Sequence, residues 1–430
     1  MSAVTFKHKI TKNPFLLFSP FLILFIIVAI IFPTNGRSGD EVKYLELAQN
    51  LVHGFFSPPP PDINLGNGPG YPIFLMPFIA LHLPLITITL MNAILYYLST
   101  VLLFKLLLQV TTFNKSLIFS IFWAFYINLY KWIPLVYTEI FVPFLVVLFI
   151  FCLQNAFTIE DAKKRKRYIF LSGFILGFMA LAKPVFGYVL LCMLAGSALL
   201  WITKRRSSNY QKGVIILTIA FVTTLPYLAY TYHLTGRMLY WGSSGGTNLY
   251  WMSAPYEEEY GSWMTYPSDS VDKKRYFAGS IDSIFLRHHS DFEEINKYTG
   301  AEQDDVFKKI AVKNIKSHPV KFIKNCFSNI GRIFFNYPYS YTPQKPTTLL
   351  WLPQNGLLIL LALFSLIPTI INWQKIPYPI RFMLFFVLLY LGASVLGSAE
   401  NRMFNIAVPV LLIWIAFILQ KTIKVSPKFK

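Results

Sequence analysis

Charge is scarce in this 430-residue chain. Asp, Glu, Lys and Arg together make up 14%, against about 25% in an average soluble domain. With 55% hydrophobic residues, that scarcity excludes a disordered chain and argues against an ordinary water-soluble globule. Only three cysteines are present, too few for a disulfide scaffold; Cys152 and Cys192 lie inside apolar runs and read as inert. No fixed-period repeat is evident. The chain lacks a phosphate-binding Gly-Lys-Ser loop, a nucleophile elbow and Cys-based metal spacing. Adjacent His288 and His289 do not form a strong ligand spacing and read as part of a solvated loop. Acid is scarcer still: 20 Asp and Glu stand against 39 Lys and Arg, for a formal charge of +19.

What is abundant is long apolar sequence. A membrane-spanning helix needs roughly 17–25 mostly apolar residues, and by that measure the sequence offers about ten spans. They are Pro14–Pro33, Ile86–Leu108, Leu117–Ile133, Glu139–Phe157, Tyr168–Ala182, Val185–Ile202, Gly213–His233, Leu349–Ile371, Ile380–Ser398 and Met403–Gln420. The two flanking Lys183-Pro184 are short, and a re-entrant hairpin there preserves the same orientation. The first has no small-residue cleavage site after it and reads as a retained anchor.

Basic residues set the orientation. Lys7, Lys9 and Lys12 precede the first span, Lys163 to Arg167 precede the fifth, Lys204 to Arg206 follow the sixth, and Lys421, Lys424, Lys428 and Lys430 close the chain. All fall on one side if both termini are cytoplasmic. That side then carries about 20 basic and about 2 acidic residues, so topology explains the positive balance and a nucleic-acid partner is not needed. The expected fold is an all-α polytopic membrane protein. It comprises a transmembrane module over 1–233 with a first outer loop at 34–85, a large extracytoplasmic segment over 234–348, and C-terminal helices over 349–430. The single Asn-x-Ser/Thr site, Asn114-Lys115-Ser116, falls on the cytoplasmic side, which favours a bacterial inner membrane.

The carboxylates gather in the two outer segments. In the first, Tyr44, Leu47, Ala48, Leu51 and Phe55 recur at helical spacing, with Gly54 as a stop, so a short amphipathic helix begins near Asp40. Pro58 to Pro61 is too stiff for helix. Gly66 to Pro72 turns the chain, and Ile73 to Leu83 reads as a juxtamembrane helix. In the second, Gly242 to Tyr250 reads as a loop, Tyr256 to Trp263 as an interfacial aromatic belt, and Gln303–Ser317 and Val320–Phe335 as amphipathic helices.

These segments resemble a family. Asp40-Glu41, Tyr44, Ala48, Leu51, Gly54 and Pro69-Gly70-Tyr71-Pro72 are similar to the first outer loop of GT-C glycosyltransferases. The resemblance is to bacterial relatives of protein O-mannosyltransferases and lipid A aminoarabinose transferases. Thr138-Glu139, Gly177 with Leu181-Ala182-Lys183-Pro184, Gly242 to Tyr250, Ile310-Ala311 with His318-Pro319, and Glu400-Asn401-Arg402 before Pro409 match further segments in order. Where the aminoarabinose enzymes carry Glu-Lys before their loop prolines, Asn67-Gly68 stands here. The resemblance implies sugar transfer from a polyprenyl-phosphate sugar to a lipid, glycan or protein acceptor outside the cytoplasm, with inversion at the anomeric carbon and no cofactor beyond the lipid-linked donor.

Single displacement needs a base for the acceptor hydroxyl and cations or hydrogen-bond donors on the leaving phosphate. Asp40, at the outer mouth of the first span, is the candidate base, or else a first-turn acid favoured by the helix dipole; Glu41 reads as structural. Glu139 either assists the base or caps its helix with Thr138. Lys183 meets the donor phosphate, or pairs with Glu139 or Glu400. Arg402 grips phosphate, or snorkels as an interfacial anchor. Tyr44, Tyr71, Asn248 and Glu400 complete the expected substrate-binding set. A transporter or flippase of a lipid-linked glycan, and an O-antigen-type polymerase, are the competing classes. Transporters place ionisable groups near the midplane and often show repeated halves, and neither feature is evident here.

Overall fold

The computed structural model describes residues 13–36, 39–60, 62–203, 207–264, 281–340, 344 and 346–422. Lys7, Lys9, Lys12, Ser38, Pro61, Lys204, Arg205, Arg206, Lys424, Lys428 and Lys430 lie outside them. Every regular element among the described residues is helical, so the chain is an all-α polytopic membrane protein. Seven helices are long and apolar enough to cross a bilayer. They correspond to seven of the spans expected from sequence; the first, third and fifth take other forms.

The first is broken. α1 (Pro14–Leu17) and α2 (Ser19–Ile31) meet at Phe18, because Pro20 lacks an N–H and its ring clashes with the carbonyl four residues back. α3 (Asp40–Val52) and α4 (Gly70–Ala80) lie in the 34–85 segment, and α5 (Ile86–Leu108) is the next span. The third expected span divides into α6 (Phe113–Ala124) and α7 (Ile127–Tyr130) with neither Pro nor Gly at the break. Tyrosines terminate α6 instead: the Tyr96 hydroxyl donates to the Trp123 carbonyl (2.6 Å) and Tyr130 to that of Ala124 (2.8 Å). α8 (Thr138–Thr158) is a span, and α9 (Ala162–Ala182) is the fifth expected one, longer than read. Asp161 caps it, accepting from the Lys163 and Lys164 amides, so the basic run forms its first turns. Its 21 residues reach about 30 Å. α10 (Val185–Thr203) is one of the seven helices long and apolar enough to cross, whereas α9, with the basic run in its first turns, is not.

α11 (Ser208–Thr235) packs against α9 through small residues. A Cβ on Gly177 would stand 2.5 Å from the Ala220 carbonyl oxygen. α4 begins against the end of α9: a Cβ on Gly68 would fall 2.1 Å from the Leu181 oxygen, and one on Gly70 2.6 Å from the Ala182 nitrogen. The Pro-Gly-Tyr-Pro segment and the Leu-Ala-Lys-Pro segment therefore touch backbone to backbone.

The 234–348 segment holds α12 (Gly245–Met252), α13 (Ile281–Ile295), α14 (Gly300–Ser317) and α15 (Pro319–Phe335). Two readings are corrected here. The stretch Gly242 to Tyr250 is mostly helix, because Asp304, distant in sequence, accepts from the Gly246 (2.8 Å) and Thr247 (3.2 Å) amides at the start of α12. His288 is buried inside α13, its Nδ1 2.5 Å from the Tyr250 hydroxyl and its Nε2 3.1 Å from the Glu259 carboxylate. Tyr256 and Glu259 accordingly fold onto α13, while Tyr260 and Trp263 of the same stretch stay exposed. α16 (Leu352–Ile371), α17 (Tyr378–Leu396) and α18 (Phe404–Thr422) close the bundle. Leu363, Phe364, Ile367 and Ile370 of α16 face outward, as the lipid side of a span does.

Gly70→Ala forces its methyl group into backbone that cannot rotate away. It is expected to cost about 1–3 kcal/mol and to lower the thermal midpoint of the purified protein. Gly245→Ala, with nothing within 4 Å, is the control. Equal midpoints for the two variants would contradict this contact.

Candidate active site

Four helix ends converge at one end of the bundle. Asp40 opens α3, Glu139 is the second residue of α8, Lys183 follows α9, and Glu400 and Arg402 precede α18. The basic first turns of α9 lie at the far end of that helix.

Glu139 is the floor of the cluster, with its side chain only 1% exposed. A carboxylate that deep requires a partner. The Lys183 ammonium donates to its Oε1 at 3.1 Å, and an Arg402 terminal nitrogen lies 3.7 Å from the same oxygen. The same guanidinium nitrogen donates to Asp40 Oδ2 at 3.1 Å, and Arg402 Nε stands 2.8 Å from Glu400 Oε2 as an ion pair without hydrogen-bond alignment. Arg402 thus links all three acids. The cluster holds three carboxylates and two cations, one negative charge in excess. Asp40, Arg402 and Glu400 remain between a fifth and a third exposed, so the cluster is closed at Glu139 and open at Asp40.

Local sequence explains how the parts are held. Gly39 takes φ +54°, a conformation that favours glycine, and a Cβ there would meet the Tyr137 hydroxyl at 2.7 Å. That hydroxyl accepts the Asp40 amide at 3.2 Å. Glu41 is buried and structural, as expected. Its Oε1 accepts from the Thr34 hydroxyl (2.5 Å) and the Val136 amide (2.9 Å), tying α3 to the strand of chain before α8. The cap of α8 is Tyr137, with no side-chain cap bond, so Glu139 is not a capping residue. Lys183 forms the ion pair with Glu139 that was its structural alternative. Arg402 is paired inward; it does not extend away as an anchor.

Two phenols back the site. Tyr44 packs edge-on against Tyr71 at 4.9 Å, and Tyr71 is fully buried behind it with its hydroxyl unpartnered among the described residues. Burial raises the Tyr44 pKa, and the carboxylates of Glu139 and Asp40 raise it further. Burial also pushes Tyr137 up to about 12, with Asp40 adding to the effect. Both phenols therefore stay protonated at neutral pH. Asn248 is not brought to the cluster; its amide donates to the Ser244 carbonyl (2.7 Å) in the first turn of α12. The sequence reading missed Tyr137, which no motif marks, and Gly39, whose place before Asp40 was the one available signal. Among the described residues, no group of three or more His, Cys, Asp or Glu side chains is arranged to hold a metal ion.

No protein-family model matches the chain, and no curated protein matches it significantly. Solved structures do. The oligosaccharyltransferase of Archaeoglobus fulgidus, tethered to an acceptor peptide containing the NVT sequon, aligns at TM-score 0.50 and 12% identity over 94% of this chain and 49% of that one. The same archaeal enzyme, AglB, in complex with an inhibitory peptide and a dolichol-phosphate, aligns at TM-score 0.50 and 12% identity over 94% and 50%. The chain therefore shares the fold of this archaeal oligosaccharyltransferase. That agrees with the all-helical membrane fold implied by the motifs, although these neighbours are oligosaccharyltransferases and not the O-mannosyl or aminoarabinose enzymes that the motifs resemble. The chain spans about half the length of these neighbours.

Because Glu139 is buried, removing Lys183 takes away its one hydrogen-bonded cation and leaves the longer Arg402 contact alone. Lys183→Met is expected to destabilise by about 3 kcal/mol. The double variant with Glu139→Gln should recover at least about 1 kcal/mol of the summed losses. Denaturant unfolding of the four proteins in one detergent measures the cycle, and strict additivity would contradict the pairing.

Proposed function

We propose that the chain is a glycosyltransferase. In this reading it moves a sugar from a polyprenyl-phosphate donor to a cell-envelope acceptor (lipid, glycan or protein) on the outer face of an inner membrane, with both termini cytoplasmic. The observation that supports this best is the juxtaposition of Asp40 with Arg402 and, through Glu139, with Lys183 at the open end of a GT-C bundle. A neighbour of the same fold was solved with a dolichol-phosphate, and the clustering of basic residues at the opposite helix ends supports the orientation.

The chemistry follows from the cluster. Asp40 takes the acceptor hydroxyl proton as that oxygen attacks the anomeric carbon. The bond from this carbon to the phosphate oxygen breaks on the opposite face, inverting the centre, and the electron pair leaves with polyprenyl phosphate. Lys183 and Arg402 receive the negative charge that develops there. Arg402 presents a planar fork suited to phosphate oxygens. Its bond to Asp40 holds the carboxylate in place until the donor arrives. The phosphate then replaces Asp40 on the guanidinium, because a cluster already in negative excess takes up an anion only by giving up a carboxylate contact. Asp40, released beside the acceptor, becomes the base. Glu139 keeps Lys183 and Arg402 charged and close together, Glu400 orients Arg402 from the other side, and Tyr44 lies behind Asp40 with Tyr71 supporting it. Asn248 has no part in this step and meets the acceptor within the outer segment.

The test is incubation of the purified protein with polyprenyl-phosphate sugars and assay of released polyprenyl phosphate. Wild type is expected to turn over. Asp40→Asn should lose about 10²–10⁴-fold in kcat while keeping its thermal midpoint. Full turnover by Asp40→Asn would remove the base, and wild-type inactivity with every donor would remove the transferase reading.

A further inference from the structure

α15 is inside out. Lys321, Asn325, Asn329 and Arg332, spaced four, four and three residues apart, form one face of the helix and are buried, whereas Val320, Ile323 and Phe327 face outward. The buried polar face binds two separate loops. Lys321 donates to the Glu259 carbonyl (2.6 Å) in the loop after α12, and Asn325 to that of Met252 (3.0 Å) where α12 ends and the loop begins. Asn329 donates to the carbonyls of Val395 (2.8 Å) and Gly397 and accepts the Ala399 amide (3.3 Å). These residues run from the last turn of α17 to the one before Glu400.

Arg332 joins the two loops. Fully buried, it donates from Nε to the Ala399 carbonyl (3.1 Å) and from a terminal nitrogen to the carbonyls of Tyr260 (2.8 Å) and Pro338 (2.7 Å). The other terminal nitrogen bonds Asn329. Burial lowers its pKa to about 10, so it remains charged at neutral pH. An apolar side chain would fill this space without the desolvation cost of a charge. What the guanidinium adds is direction: five N–H groups in one rigid plane fix three carbonyls, from the loop after α12, the chain after α15 and the loop before Glu400, relative to each other. The residue after Ala399 is Glu400, and Arg402 lies two further on.

We propose that Arg332, with Asn329, is a positioning residue that sets the Glu400–Arg402 turn against Asp40, so that the outer 234–348 segment governs how tightly Arg402 engages the phosphate of the lipid donor. The catalytic half of this inference rests on the transferase reading above. The mechanical half does not.

Two measurements on the full-length protein in nanodiscs separate them. Amide hydrogen exchange over 399–403 needs no substrate. Arg332→Met is expected to raise exchange there by about tenfold, with Arg332→Lys, which reaches fewer carbonyls, in between. Lys321→Met is the control, because it loosens the same helix from the 257–259 loop without touching Ala399; it should leave 399–403 unchanged. In the polyprenyl-phosphate release assay, Arg332→Met should raise the donor KM by about tenfold with a smaller change in kcat, partly rescued by Arg332→Lys, while Lys321→Met leaves KM alone. If Arg332→Met does not fold, Asn329→Leu replaces it. Unchanged exchange in 399–403, or the same KM and exchange shifts in Lys321→Met, overturns the proposal. Raised exchange in a wild-type background that shows no transfer with any donor supports the mechanical coupling and rejects the transferase reading instead.

Discussion

A carboxylate buried where helices end has to be neutralised, and here that requirement falls on Glu139. Its side chain is almost wholly inaccessible, and the cations that meet it come from distant parts of the chain: Lys183 from the end of α9 and Arg402 from the turn before α18. Satisfying this one charge fixes three helix ends relative to one another. Asp40 then joins the assembly through Arg402. The cost of leaving any member unpaired in a low-dielectric setting holds the cluster together, and the partial exposure of Asp40, Arg402 and Glu400 leaves it open on that side.

The surrounding packing serves the same geometry. Gly68 and Gly70 let the 34–85 segment lie directly on the residues that lead into Lys183. Glu41, next to Asp40 but turned inward, bonds the chain before α8 and so holds Asp40 and Glu139 in register. Neighbouring acids thus divide their work by direction. The one pointing into protein is structural, and the one pointing toward solvent carries the chemistry in our reading.

Much of this was legible in the sequence, for identifiable reasons. Apolar runs longer than a bilayer announce themselves, and Asp40, Glu139, Lys183, Glu400 and Arg402 stood out as charges at the margins of such runs. The structure brings these five together. What could not be read depends on partners remote in sequence. α6 ends after Ala124 because tyrosines of α5 and α7 take its carbonyls, and no local breaker marks the place. α12 forms where a loop was expected because Asp304 caps it from afar. His288 is buried because Glu259 and Tyr250 reach it across a turn of chain. Arg332 sits in a helix whose apolar stripe was plain, yet its polar stripe, which binds the loop before Glu400, reads like any solvated face until the loop is in view.

The account predicts where a lipid phosphate goes, and a structure of the full-length protein in nanodiscs with a bound polyprenyl phosphate tests that most directly. The phosphate should lie within hydrogen-bonding distance of both the Lys183 ammonium and the Arg402 guanidinium, with the Asp40 carboxylate swung free beside it. A phosphate seated elsewhere, for instance against the basic first turns of α9, with the bond between Arg402 and Asp40 intact, would contradict it.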